Sequence, residues 1–307
     1  MFSIFGGIVT DNKSVKICLV LGILVLLVGV GIQPAFAKVS INSDDSELEV
    51  VTIQFYETDR TYNHTVFLTQ EQAEELENLI NNIEFQLYST DNPIETEAIY
   101  NNAIVSFNEL GLIPKDMSID YAQRLVTGKE QDPRIVEFLE RWISKNKKGL
   151  SDNENFNCLI AGFTSHTHFL GPIGRILYYL IDFLPFGPLL ALILVFLLSA
   201  NYIWSIVPLQ FGYEIGIGFM TKLAFDPEYY PAKGRVYTIG SNGVISWDGA
   251  FYGHIPLFPF AAGFSGYKYC FPGVLGFTGI KIGFLSSHFY MGFAQQVKID
   301  KERPEYP

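Results

Sequence analysis

FGPLLALILVFLLSANYIWSIV (186–207) is a run of 22 residues without a charge. A helix of that length crosses the hydrocarbon layer of a bilayer, and Tyr202 and Trp204 near its end suit the interfacial aromatic belt. Just upstream lies PIGRILYYLIDFL (172–184), apolar but carrying Arg175 and Asp182. At 1.5 Å per residue it spans about 20 Å as a helix, too short to cross alone. Pro185 and Pro188 separate the two stretches, because proline lacks the amide donor and clashes with the preceding turn. Two arrangements stay open. Residues 172–184 lie along the interface and 186–207 cross once, or the two stretches form a short helical hairpin that enters the bilayer and returns. The hairpin is marginally favoured. Arg175 and Asp182 snorkel to the interface in either case.

A second apolar run, ICLVLGILVLLVGVGI (17–32), follows Lys13 and Lys16 and precedes Ala35, Ala37 and Lys38. A weakly basic start, an apolar stretch and small residues two apart make a secretory signal, with cleavage expected between Ala37 and Lys38. These runs divide the chain into a signal peptide (1–37), an exported acidic α+β domain (38–157), a membrane-associated helical segment (158–208) and a glycine- and aromatic-rich β domain (209–307). The expected location is the cytoplasmic membrane or cell envelope, with 38–157 outside the cytoplasm and the lipid bilayer as the first partner.

Charge is uneven. Residues 38–157 hold 23 acidic side chains against 10 basic ones, which supplies the excess in a chain of net charge −11. So negative a surface repels phosphate backbones, and nucleic acid is excluded as a partner. An unidentified protein or small molecule is the remaining partner class.

Within 38–157, LEVVTIQFYE (48–57) and TYNHTVFL (61–68) are β-branched and aromatic and read as a hairpin. Thr69 and Gln72 form a capping box ahead of a helix whose Ala73, Leu76, Ile80, Ile83 and Leu87 make one apolar stripe. Glu74, Glu75, Glu77 and Glu84 fall on its solvated side. Further helices are expected near 93–110 and 118–127, and another from Asp132-Pro133 to about 143. In 209–307, apolar and small residues alternate over 211–219, and the turn dipeptides Asn242-Gly243 and Asp248-Gly249 separate strands at 235–240, 244–247 and 250–255. Strands at 265–271, 276–284 and 289–299 complete an antiparallel sandwich or small barrel. The fold class is therefore α+β.

RVYTIGSNGVISWDGAFYGHI (235–255), GFTGIKI (276–282) and FYMGFAQQVKI (289–299) resemble the C-terminal pattern of a group of archaeal secreted or membrane proteins to which no activity is assigned. The resemblance runs from the apolar middle to the C-terminal end. It implies an envelope location and implies no reaction.

The candidates for chemistry are few. His166 and His168 project to one face if extended, and Cys158 lies eight residues upstream. Zinc needs three or four such ligands in tetrahedral reach, so His254, His288 or Cys270 would have to approach in the fold. A membrane-proximal metal site or hydrolase on Cys158, His166 and His168 is the alternative to a binding or structural role. No G-x-S-x-G elbow and no phosphate loop occurs, no catalytic residue is singled out, and no cofactor is expected. Cys158 and Cys270 form an even pair once the signal has gone, and a disulfide between them requires both on one side of the membrane. Asn63-His64-Thr65 is a glycosylation sequon at Asn63.

Overall fold

The computed structural model describes residues 48–58, 60–134, 136–137, 141, 151–170, 212–223, 226–255, 268–284 and 287–304. Both apolar runs, Ala35, Ala37, Lys38, Arg175 and Asp182 lie outside these residues. Among the described residues no helix is long and apolar enough to cross a membrane.

The hairpin read at 48–68 is present. Strands β1 (Glu49–Tyr56) and β2 (Thr61–Leu68) pair antiparallel from Glu49↔Leu68 to Tyr56↔Thr61. Helix α1 (Gln70–Tyr88) follows, and both halves of its capping box form: Gln72 N–H donates to Thr69 Oγ1 at 3.3 Å and Thr69 N–H to Gln72 Oε1 at 3.0 Å. Asn92 and Ser118 cap α2 (Pro93–Glu109) and α3 (Ile119–Val126) with their side chains, accepting from Ile94 N–H and Tyr121 N–H. Of the expected helix after Asp132, the described part is a first turn in which Arg134 N–H donates to Asp132 Oδ1. Glu84 departs from its expected solvated flank. It is buried, because Arg235 reaches it at 2.9 Å. Burial raises its carboxyl pKa, Arg235 opposes that shift, and Asp248 adds to it.

The region after residue 150 corrects the expected helical character of 158–208 at its start. β3 (Glu154–Ser165) and β4 (Thr167–Leu170) are strands, separated by His166 alone. Cys158 and Ile160 point to one face, while Leu159 and Ala161 point to the other, a period of two that the general apolarity of 158–170 conceals. The expected boundary at 157/158 falls inside β3. The remaining strands are β5 (Tyr213–Leu223), β6 (Asp226–Tyr230), β7 (Ala232–Gly240), β8 (Gly243–Gly253), β9 (Lys268–Phe284) and β10 (Ser287–Asp300).

All these strands share one antiparallel sheet in the order β2-β1-β9-β10-β3-β7-β8, with β4, β5 and β6 attached through β5–β9 pairing. β1 pairs with β9, so elements on both sides of the apolar segment build a single sheet. Because the end of β10 also pairs with β8, the path β10-β3-β7-β8 returns to its start. Closure gives the sheet an inside. One core packs outside, between sheet and helices, with Ile53, Phe55, Leu76, Ile104, Phe107 and Ile282. The other fills the inside, with Cys158, Ile160, Phe169, Phe251, Phe277 and Tyr290.

Two turn dipeptides behave differently. At Asn242-Gly243 the chain does reverse, one residue earlier than expected: Ser241-Asn242 make the turn and Gly243, at φ 79°, opens β8 opposite Gly240. The turn is held by the fully buried Asn155, whose amide donates to Thr238 Oγ1 and Gly243 O and accepts from Asn242 N–H. Asp248-Gly249 is not a turn. It lies within β8, where Gly249 faces Gly234 of β7, and a β-carbon on Gly234 would sit 1.9 Å from Phe163 O. Close approach of β3 requires glycine at 234, while Gly249 meets open space and is favoured by its φ of 100°.

Candidate functional site

The expected metal ligands do not converge. Cys158 is a free thiol in the inner core, and burial pushes its pKa far up. His166 stands exposed at the β3–β4 corner with φ of 52°, its Nδ1 3.2 Å from Pro231 O. Eight residues of strand put it roughly 26 Å from Cys158 at 3.3 Å per residue. His166 and His168 both lie against the Phe219 ring, at 5.4 and 5.9 Å. His254 ends β8. Among the described residues no group of three His, Cys, Asp or Glu could hold a metal. Cys270 is on β9 opposite Phe219, with β10 lying between β9 and β3. Asn63 is exposed on β2, and its Oδ1 accepts from Gln54 Nε2 at 3.1 Å.

The structure assembles a different group inside the closed sheet. Lys281 on β9 is 3% exposed, and its ammonium rests over the Phe169 ring, 4.7 Å from the centroid. Tyr290 is its partner across β10, and the Tyr290 ring lies 5.9 Å from Phe169. His288 is two residues before Tyr290, with its ring 6.5 Å from Phe169. Thr164 pairs with His288 across β3, and Thr167 stands two residues before Phe169 on β4. Gln54, opposite Lys281 on β1, is satisfied elsewhere: it accepts from Tyr56 Oη and donates to Asn63.

The electrostatics of this group run one way. Burial lowers the Lys281 ammonium pKa to about 8. Burial, the Lys281 charge and His168 together pull the His288 imidazole down to about 3. Among the described residues Lys281 has no ion-pair partner. Among the described residues His288 Nδ1 and Thr167 Oγ1 are buried without a hydrogen bond, while the Thr164 hydroxyl interacts with the Tyr290 phenol and opposes the rise that burial gives its pKa. Buried polar groups are ordinarily satisfied, so a buried cation with Thr167 and His288 open beside it is a cluster that the described residues leave incomplete.

No family model, curated protein or solved structure matches this chain. The site therefore has to be read from its own chemistry.

Sequence reasoning missed Lys281 because Ile280 and Ile282 mark the buried face of β9 and assign Lys281 to the opposite, solvated one. Ring closure turns that second face inward. The available signal was Gly279 and Gly283 flanking Lys281, and Gly292 and Ala294 following Tyr290, small residues of the kind that let a sheet fold around enclosed side chains.

The other observation that bears on function is where the apolar segment attaches. Leu170 ends β4 and pairs directly with Glu214 near the start of β5. The described residues on either side of 171–211 are therefore held at adjacent positions on neighbouring strands.

Proposed function

We propose that this is a membrane-attached protein of the cell envelope, whose closed sheet and helices form one body outside the cytoplasm and work by binding rather than by catalysis. The apolar segment within 171–211 attaches that body to the bilayer, and the signal at 1–37 delivers it. The Leu170↔Glu214 pairing carries the reading. Paired Cα atoms in an antiparallel ladder are about 5 Å apart, so a segment tied at both ends to such a pair returns to the side it left. Of the two arrangements open in the sequence, this favours the one that enters and returns. A single crossing would draw a bilayer about 30 Å thick between two hydrogen-bonded residues. The resemblance of 235–299 to archaeal secreted or membrane proteins is consistent with the location.

Excision tests it. Replacing 172–211 by Asn-Gly leaves a short loop between residues already in register. Shortening that connection nearly tenfold returns about 2 kcal/mol of loop-closure entropy. The shortened protein is expected to fold and to partition into the soluble fraction, while the full chain resists alkaline carbonate extraction from membranes. A full chain that is freely soluble, or a shortened one that stays with the membrane, would overturn the proposal.

A further inference from the structure

We infer that the cluster around Lys281 binds the phosphate of an anionic lipid headgroup. The inference deepens the membrane reading above and rests on it for the source of the phosphate.

The argument starts from an imbalance. An ammonium taken out of water needs a counter-charge or a set of dipoles, and among the described residues Lys281 has the face of Phe169 and no ion pair. Beside Phe169 the Thr167 hydroxyl, two residues along β4, and Nδ1 of His288 are buried and without a hydrogen bond among the described residues, while the Tyr290 and Thr164 hydroxyls face each other over β3. An oxyanion supplies both missing terms, a negative charge for the ammonium and acceptor lone pairs for the Thr167 hydroxyl and the His288 ring. A phosphate, with several oxygens directed apart, can meet the ammonium, the Thr167 hydroxyl and the His288 ring together, where a carboxylate has two oxygens for three groups.

Position argues for the lipid source. Phe169 is one residue before Leu170, where the chain departs for the apolar segment. Lys281 and His288 flank the β9–β10 connection, three residues before its first strand ends and one residue after its second begins. The cluster thus sits beside the point where protein and bilayer would meet.

The test uses the full chain purified in neutral detergent, titrated with phosphatidylglycerol, with diacylglycerol (which lacks the phosphate) and with inorganic phosphate, each read by native mass spectrometry and by thermal shift. Phosphatidylglycerol is expected to bind one to one and raise Tm, and diacylglycerol to do neither. Lys281→Met, which removes a buried charge and keeps the stem, is expected to lose at least tenfold in affinity while staying folded. Thr167→Val should lose affinity by a smaller factor and guards against a folding artefact in the first variant. Equal binding of phosphatidylglycerol by Lys281→Met and the unaltered chain would overturn the proposal, as would no binding at all. Lysine-dependent binding of inorganic phosphate without the lipid would overturn the lipid source. Failure of the membrane reading shows separately, as an unaltered chain found in the soluble fraction whatever occupies residue 281.

Discussion

Lys281→Met should stabilise the ligand-free protein, and the amount depends on pH in a way that identifies the cause. The folded state holds the ammonium pKa near 8, against 10.5 for an exposed lysine. At about 1.4 kcal/mol per unit, the charged form costs folding about 3 kcal/mol. Attraction to the Phe169 ring offsets about 1–2 kcal/mol of this. Methionine of similar length removes both terms, so the net gain near pH 7 is about 1–2 kcal/mol, or roughly 2–3 °C in Tm for a chain of this size. The sign with pH is fixed by linkage. Between the folded pKa and the unfolded one the unfolded chain binds more protons, so the unaltered protein gains stability as pH rises from 8 to 10.5. The advantage of the variant is therefore full below pH 8 and shrinks across that interval. Chemical denaturation in neutral detergent without phosphate, at pH 7 and at pH 10, measures it. A variant less stable than the unaltered chain at pH 7, with the same difference at pH 10, would refute the view that Lys281 is a buried, uncompensated cation.

Other substitutions test the frame around that site. Asn155→Ala should cost about 3 kcal/mol or more in chemical denaturation, because it orphans Asn242 N–H and loosens the β7–β8 turn in the interior. Gly234→Ala should prevent stable folding or cost several kcal/mol, since its β-carbon would collide with Phe163 O, whereas Gly243→Ala meets open space and should cost only about 1 kcal/mol for its φ of 79°. Circular dichroism melts on the pair separate a steric effect from a purely conformational one.

What was legible in the sequence was local. The 48–68 hairpin, the Thr69–Gln72 capping box, the apolar stripe of α1 and the chain reversal at Asn242-Gly243 each depend on residues a few positions apart, and each forms. What was not legible depends on contacts across the chain. Residues 158–170 are apolar enough to pass for a membrane flank, and only pairing with β10, β7 and β5 makes them strands. Asp248-Gly249 carries the dipeptide of a tight turn, yet it lies inside β8, paired with Arg235 and Gly234 of β7. Glu84 sits on a flank that helical spacing marks as solvated, and it is the distant Arg235 that allows its burial. Lys281 is the largest miss for the same reason. Alternation tells which residues share a face, but only closure of the sheet tells that both faces are inside.

The most direct test of the account is sidedness. Glu75 on α1 and Glu302 after β10 are exposed and lie on opposite sides of the apolar segment in the chain. Glu75→Cys and Glu302→Cys, placed singly and treated with a membrane-impermeant maleimide in intact cells, should both be labelled from outside to the same extent. Labelling of one position with protection of the other until lysis would put the bilayer between strands that are hydrogen-bonded to each other, and the account could not stand.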